Sequence, residues 1–377
     1  MTFYDILLRS ADAALSLQNP HQGYMPPGHN GSYHDLETPA RNTSHWLITF
    51  LKAYEISSEK RFLEAASKAA DYLCSNDVRP MGATFWHRKN PEKDTCNGLM
   101  GQAWTIEALT VAAKALNRVE LLTLSEQVFS LHPHNLETGL WQSVSVDGTH
   151  LDFDYTFNHQ LWFAAVGGLL AKQAQADNID SSIRHFLNRL DGNFRTYPSG
   201  LIKHIVSFQL FPARKRIEKT TNQVWKIRHF RKLARSRQYL KQKEIGYHSF
   251  NLYAFGLLKR VYPNHSFWKN EKFLSALEYA KSEDYSKHVQ ASKYGYPYNP
   301  PGFEIPFVLE TFCTDEDTRE LRSHWVSEQL LRCYDFDSKL MTKDTADKHT
   351  HAARIYEATR LSDLPLSFQD IPLREVV

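Results

Sequence analysis

Six times along this chain a polar, aromatic or glycine-rich lead-in runs into a helix-forming stretch with few charges, and few folds accommodate that pattern. The segments are Arg41–Tyr54, Cys96–Leu109, Phe157–Leu170, Tyr247–Leu258, Pro301–Glu310 and His349–Glu357. One polar landmark in each (Asn42, Asn97, Asn158, His248, Glu304, His351) gives spacings of 55, 61, 90, 56 and 47 residues. Between them lie charged amphipathic stretches near residues 60–74, 118–130, 180–191, 268–281 and 317–333, with residues 3–17 ahead of the first. In Arg61–Leu73 the apolar residues recur at i, i+3, i+4 and i+7, so one helical face is apolar and the other charged. A helix with apolar residues nearly all round needs neighbours on every side, and an inner barrel of helices supplies them. Six such helices alternating with six amphipathic ones predict an all-α fold, an (α/α)6 toroid of six helical hairpins. An open superhelical array of hairpins is the competing arrangement; six is the number of units that closes a ring. Strand-like alternation is confined to short pieces such as Leu140–Val146, ahead of a turn at Asp147-Gly148.

Length permits two or three ordinary domains, but repeat architectures run longer as one unit, so residues 1–377 are read as a single toroid domain. With 42% apolar and 23% charged residues the composition is that of a globular chain with a large core. Aromatic residues reach 13%, which suits such a core or a cleft that stacks sugar rings. A net charge of +3 is too small to imply a nucleic acid partner.

The charge is unevenly placed. The gap of 90 residues holds an insertion at 207–243, and from Arg214 to Lys243 there are twelve Lys or Arg against one acid, Glu218. Trp225, Ile227, Phe230, Leu233 and Tyr239 are interleaved, which predicts a basic amphipathic helix. It reads as a solvated face or as a contact for an anionic glycan or lipid headgroup at a membrane surface; nucleic acid is the least favoured partner. Cys74, Cys96, Cys313 and Cys333 show no metal-like spacing and are expected as free thiols. No signal peptide or membrane span is read, and the expected location is the cytoplasm, peripheral to the inner membrane face.

In a toroid all six inner helices run parallel, so their lead-ins converge on one cavity, where helix N-termini favour anionic groups. Asp152–Trp162 is the densest lead-in: His159 can take or deliver a proton near neutral pH, Tyr155 can complement it from the other face, and Asp154 lies beside them. His248 is a further candidate for proton transfer. Glu304 follows the rigid Tyr296–Gly302 loop and is read as an acid or base, a hydroxyl-binding group or a capping charge. Arg41, Asn42, His45, Asn97, Trp104, Asn158, Trp162, Tyr298, His349, His351 and Arg354 are the candidate sugar-binding residues. His349 and His351 lack the neighbouring carboxylate or thiol that a metal site needs, and no phosphate loop, nucleophile elbow or dinucleotide fingerprint is present. Neither metal nor cofactor is expected.

At these lead-ins the chain resembles the six-hairpin (α/α)6-toroid superfamily of carbohydrate-active proteins, which includes unsaturated glucuronyl hydrolases, N-acylglucosamine 2-epimerases and toroidal polysaccharide lyases. Asn97-Gly-Leu-Met-Gly-Gln-Ala-Trp104 is similar to a pattern of several toroids, the lanthionine-synthetase-like ones included. Asn158-His159 with Trp162 resembles the Asn-His element of toroidal lyases. Pro301-Gly302-x-Glu304 resembles the Pro-Gly-His-x-x-Glu helix start of the epimerases, without its His and at a different spacing; Arg41 and Trp46 resemble their Arg-Trp pair, again respaced. The resemblance implies fold and substrate class and does not select a reaction.

The favoured reaction is proton abstraction and donation on an acidic oligo- or polysaccharide, of lyase or epimerase type, within surface-polysaccharide metabolism. His159, Tyr155 or His248 would move the proton, and Asn158 and Arg41 would neutralise developing charge. A glycoside hydrolase pairing Asp152 or Asp154 with Glu304 is the alternative. A glycan-binding toroid without catalysis is the third reading.

Overall fold

The computed structural model describes residues 1–207, 234–313 and 318–366. Residues 208–233, most of the basic insertion, lie outside the described residues. Six hairpins are formed where the periodicity places them. The outer helices are α1 (Phe3–Leu15), α3 (Lys60–Leu73), α5 (Val119–Ser130), α7 (Asp177–Asn193), α10 (Glu271–Ala280) and α13 (Thr318–Cys333). The inner ones are α2 (Ala40–Ser57), α4 (Gly98–Ala115), α6 (Phe157–Ala174), α9 (His248–Val261), α12 (Pro301–Phe312) and a short α14 (Lys348–Ala353) continued by a 3₁₀ helix, Arg354–Arg360. α8 (Ala234–Gly246) begins inside the stretch read as a basic helix, and α11 (Glu283–Gln290) is a further helix that was not foreseen as a separate element. The strand-like stretch near residue 144 forms a hairpin, β1 (Gln142–Val144) against β2 (His150–Phe153), turning at Gly148 with φ of 88°. A second small hairpin pairs β3 (Tyr334–Asp335) with β4 (Leu340–Met341).

Helix boundaries follow local chemistry. Asn270 opens α10 by accepting from the Lys272 and Phe273 amides, Ser282 opens α11 by accepting from Tyr285, and Asp347 opens α14 by accepting from Thr350. Ser58 and Gln175 stop α2 and α6 in the left-handed conformation (φ of 59° and 56°). On α3, Phe62, Ala65, Ala66, Ala69, Ala70 and Leu73 are buried, while Arg61, Glu64, Lys68 and Asp71 face solvent.

The inner helices close a ring. α2 packs on α4, α4 on α6, α6 on α9, α9 on α12, α12 on the 354–360 turn, and that turn packs back on α2. Outside it, α1 and α3 flank α2, α5 packs on α4, α7 on α6 and α13 on α12. The chain ends seal the joint: the Phe3 amide donates to the Leu364 carbonyl at 2.9 Å and the Tyr4 amide to Asp363 at 2.9 Å. A ring rather than an open array is therefore the arrangement adopted. No described helix is long and apolar enough to cross a membrane.

Close approach of the two rings depends on small residues. A Cβ added to Gly167 on α6 would lie 2.5 Å from the Phe129 ring of α5 and 2.8 Å from the Ile183 side chain of α7. Gly167→Ala is therefore expected to destabilise the protein by about 1–3 kcal/mol through overpacking, read as a lower urea midpoint. An unchanged midpoint would show that α5 and α7 can move apart freely.

Candidate active site

The cavity at the N-terminal end of the inner ring has a volume of about 600 Å³. Every inner helix or its lead-in contributes to the lining: Arg41, Asn97, His159, Tyr247, Tyr298 and Arg354, taken in ring order. The toroid thus turns six sequence-distant lead-ins into one wall.

The most organised part lies where the lead-ins of α4 and α6 meet. Asn97 and Gly98 are both left-handed, with φ of 57° and 55°, a pairing that asparagine and glycine tolerate at little cost. The turn aims the Leu99 amide at Asp154 Oδ2, 3.2 Å away, and the Thr156 amide donates to Oδ1 at 3.1 Å. A Cβ on residue 98 would lie 2.3 Å from Asp154 Oδ2, so only glycine leaves that carboxylate its place. Asp154 Oδ2 also binds His159 Nδ1 at 2.7 Å. Burial works to raise the Asp154 carboxyl, but the His159 ring and the two amides outweigh it and hold the group below the usual carboxylate range. A carboxylate accepting at Nδ1 makes that nitrogen the protonated one, and leaves Nε2 as the basic atom. His159 lines the cavity, with its side chain 20% exposed.

Opposite chemistry surrounds it. His204 lines the cavity on the loop after α7; its own amide donates to Glu244 and its carbonyl accepts from Phe157. Burial, then the charge of Lys243, push its imidazole far down, so it is neutral. Tyr33 and Tyr247 touch hydroxyl to hydroxyl at 3.3 Å, and the Tyr298 hydroxyl donates to Asn30 at 2.6 Å. Burial raises the Tyr33 and Tyr247 phenols far above their ordinary value, so both are hydroxyl donors at any physiological pH.

Two arginines are held from behind. Arg41 lies 4.1 Å above the Trp104 ring and donates to Asn30 at 3.0 Å and Glu37 at 3.2 Å. Arg354 donates to Asn299 at 2.9 Å and to Glu304 at 3.1 Å, with Glu357 2.6 Å from its Nε.

Of the residues singled out from the sequence, Arg41, Asn97, Trp104, Asp154, Tyr155, Asn158, His159, Tyr298 and Arg354 line the cavity. Seven lie elsewhere. Glu304 is fully buried behind Arg354, accepting from Ser249 Oγ at 2.5 Å as well. His248 is buried between the Ile202 amide and the Ala276 carbonyl, and burial pushes it down to about 3. Trp162 stacks on Phe250 and Tyr253 in the core and donates to the Phe250 carbonyl. His351 sits between the Met341 and Tyr296 carbonyls, Asn42 donates to the Pro26 carbonyl, and His45 stacks on Tyr356. His349 is exposed. The geometry therefore corrects Glu304 and His248 as proton-transfer groups: both are enclosed by fixed partners with no face on the cavity.

Tyr33, Arg88, Lys93, His204 and Lys243 line the cavity without having been singled out. Lys243 was one cation among the twelve of the basic run, and His204 lies in a stretch without helical period. Among the described residues, no three His, Cys, Asp or Glu side chains cluster as metal ligands would.

No protein-family model matches the chain. It is 48% identical over 365 residues to archaeal glycosylation protein Q of Haloferax volcanii, covering 95% of this chain and 97% of that protein. Among solved structures, a cellobiose 2-epimerase from Bacillus thermoamylovorans superposes with a TM-score of 0.64 at 12% identity, over 94% of this chain and 98% of that one. An unsaturated glucuronyl hydrolase specific for heparin superposes with a TM-score of 0.60 at 12% identity, over 94% and 96% of the two chains. The fold is that of the α/α toroids found in carbohydrate enzymes.

Proposed function

We propose, from the premise that this chain belongs to the family of archaeal glycosylation protein Q, that it moves a proton at a carbon atom of an acidic sugar within a glycan. The observation that carries this reading is the Asp154–His159 pair, with His159 Nε2 as the basic atom of a cavity rich in hydroxyl donors and arginines. His159 Nε2 takes the proton from a carbon next to a carbonyl or carboxylate, and Asp154 stabilises the imidazolium that forms. The electron pair left behind moves onto the adjacent oxygen, where Arg41, Arg354 or the tyrosine hydroxyls neutralise it. Return of the proton to the carbon gives an epimer or isomer; loss of a leaving group from the next carbon gives an unsaturated sugar.

The carboxyl groups favour this over hydrolysis, which needs one carboxylic acid kept protonated at the bond. Glu304, which a hydrolase would pair with Asp152 or Asp154, is absent from the lining and enclosed behind Arg354, and Asp154 is committed to His159 and held low. The basic stretch 214–243 suits a substrate that is anionic as a whole, such as a lipid-linked glycan at a membrane face.

The test is incubation with uronate-containing oligosaccharides in heavy water. Deuterium bound to carbon, with or without the ultraviolet absorbance of an unsaturated uronate, is the expected result. Cleavage with addition of water and no carbon-bound deuterium would replace this reading with the hydrolase, and unchanged sugar that still binds would replace it with the glycan-binding toroid.

A further inference from the structure

Among the described residues five cations line the cavity: Arg41, Arg88, Lys93, Lys243 and Arg354. Four have a carboxylate in contact: Arg41 with Glu37, Arg88 with Asp94, Lys93 with Asp35, and Arg354 with Glu304. Lys243, in the last turn of α8, has no carboxylate within ion-pair reach among the described residues. Its ammonium instead lies 5.2 Å from the Tyr33 ring centroid and 5.7 Å from that of Tyr247, the two rings whose hydroxyls meet. Rings offer a cation only their negative faces, worth about 0.5–2 kcal/mol, which is less than a carboxylate offers in a partly buried site. The two rings also restrict the lysine stem, so the charge is held toward the cavity rather than swept through solvent.

We propose that Lys243 recognises the carboxylate of the sugar, making the cavity selective for a uronic acid over its neutral counterpart. The inference deepens the proposed function and rests on it only in placing a sugar in this cavity. An incoming carboxylate completes the lining cation that the described residues leave without a carboxylate, and accepts hydroxyl donation from the tyrosines beside it. The charge state supports the same role. Burial, then the charges of Arg88 and Lys93, push the Lys243 ammonium down to about 8. Lys243 is therefore charged below that pH, and loses its charge as the pH rises through it. The histidine and the two tyrosines beside it keep their protonation state in that window. His204 is already neutral, Tyr33 and Tyr247 stay protonated, and Arg88 and Lys93 are ion-paired. A bound carboxylate favours the charged lysine and shifts the loss upward.

The experiment is calorimetric titration of the full chain with a glucuronic-acid-containing disaccharide and with the same disaccharide carrying glucose. The wild type is expected to prefer the acid. Lys243→Met, which keeps the stem, is expected to weaken acid binding by about tenfold to a hundredfold and leave the neutral sugar unchanged. Lys243→Arg should keep most of the preference and show by its thermal midpoint that the site remains folded. The wild-type preference should also decline above pH 8. Failure of the wild type to bind the acid more tightly than the neutral sugar, or survival of its preference in Lys243→Met, would overturn the assignment. Binding is read without turnover, so absence of deuterium uptake would remove the proposed reaction while leaving this result standing.

Discussion

Replacing His159 by glutamine is expected to lower deuterium incorporation into the sugar by about a thousandfold while leaving binding nearly intact. Glutamine keeps the volume of the side chain and its amide can still donate to Asp154, so the α4–α6 junction keeps its partner. What is lost is the basic nitrogen. Asp154→Asn should fail for a related reason. An asparagine amide donates to Nδ1 and forces the ring proton onto Nε2, the atom that has to accept. The Asp154 carboxylate also receives the Leu99 and Thr156 amides, so some loosening of the α4 lead-in accompanies the second variant. Turnover by His159→Gln close to that of the wild type would move the base to another residue of the cavity.

The second large effect concerns stability. Arg354 is 2% exposed and stands between Glu304 and Glu357, both fully buried. Arg354→Met is expected to cost about 3–5 kcal/mol by urea denaturation, because it leaves two carboxyl groups in the core without their cation. The pH dependence of that loss has a definite sign. Burial and then the Glu357 charge already raise Glu304, and removal of the arginine raises it further. A carboxyl raised on folding adds stability that is fully present below the unfolded value, and loses it as pH rises through the folded value. The deficit of the variant should therefore be larger at neutral pH than in mild acid. Adding Glu304→Gln should restore part of the stability by removing a charge. A deficit independent of pH, or no recovery in the double variant, would mean that packing of the arginine stem rather than charge accounts for the loss.

Much of the architecture was legible because periodicity is a local property. The outer helices foreseen near 60–74 and 118–130 are Lys60–Leu73 and Val119–Ser130, since an amphipathic face needs only its own spacing to declare itself. The 3₁₀ continuation of the sixth inner helix and the separate α11 were not visible, because a short mixed run of charges has no clear face. Convergence of six lead-ins was inferred from the count of hairpins, and the cavity takes a residue from each.

Roles inside that cavity were less legible. His159 and Glu304 both open inner helices, so their local sequences read alike; one borders the cavity and the other is enclosed by Ser249 and Arg354. Those partners lie 55 and 50 residues away, and no local pattern reports which side chains a ring of helices will bring within 3 Å. The same limit hid Lys243, whose neighbours in sequence are cations but whose neighbours in space are Tyr33 and Tyr247. By itself the sequence determined the helices, their alternation and the end of the barrel at which polar groups collect, because these follow from spacing and helix direction. Only the tertiary structure decided which of those groups are tied to buried partners and which are left facing the cavity, because that depends on distances between elements far apart along the chain.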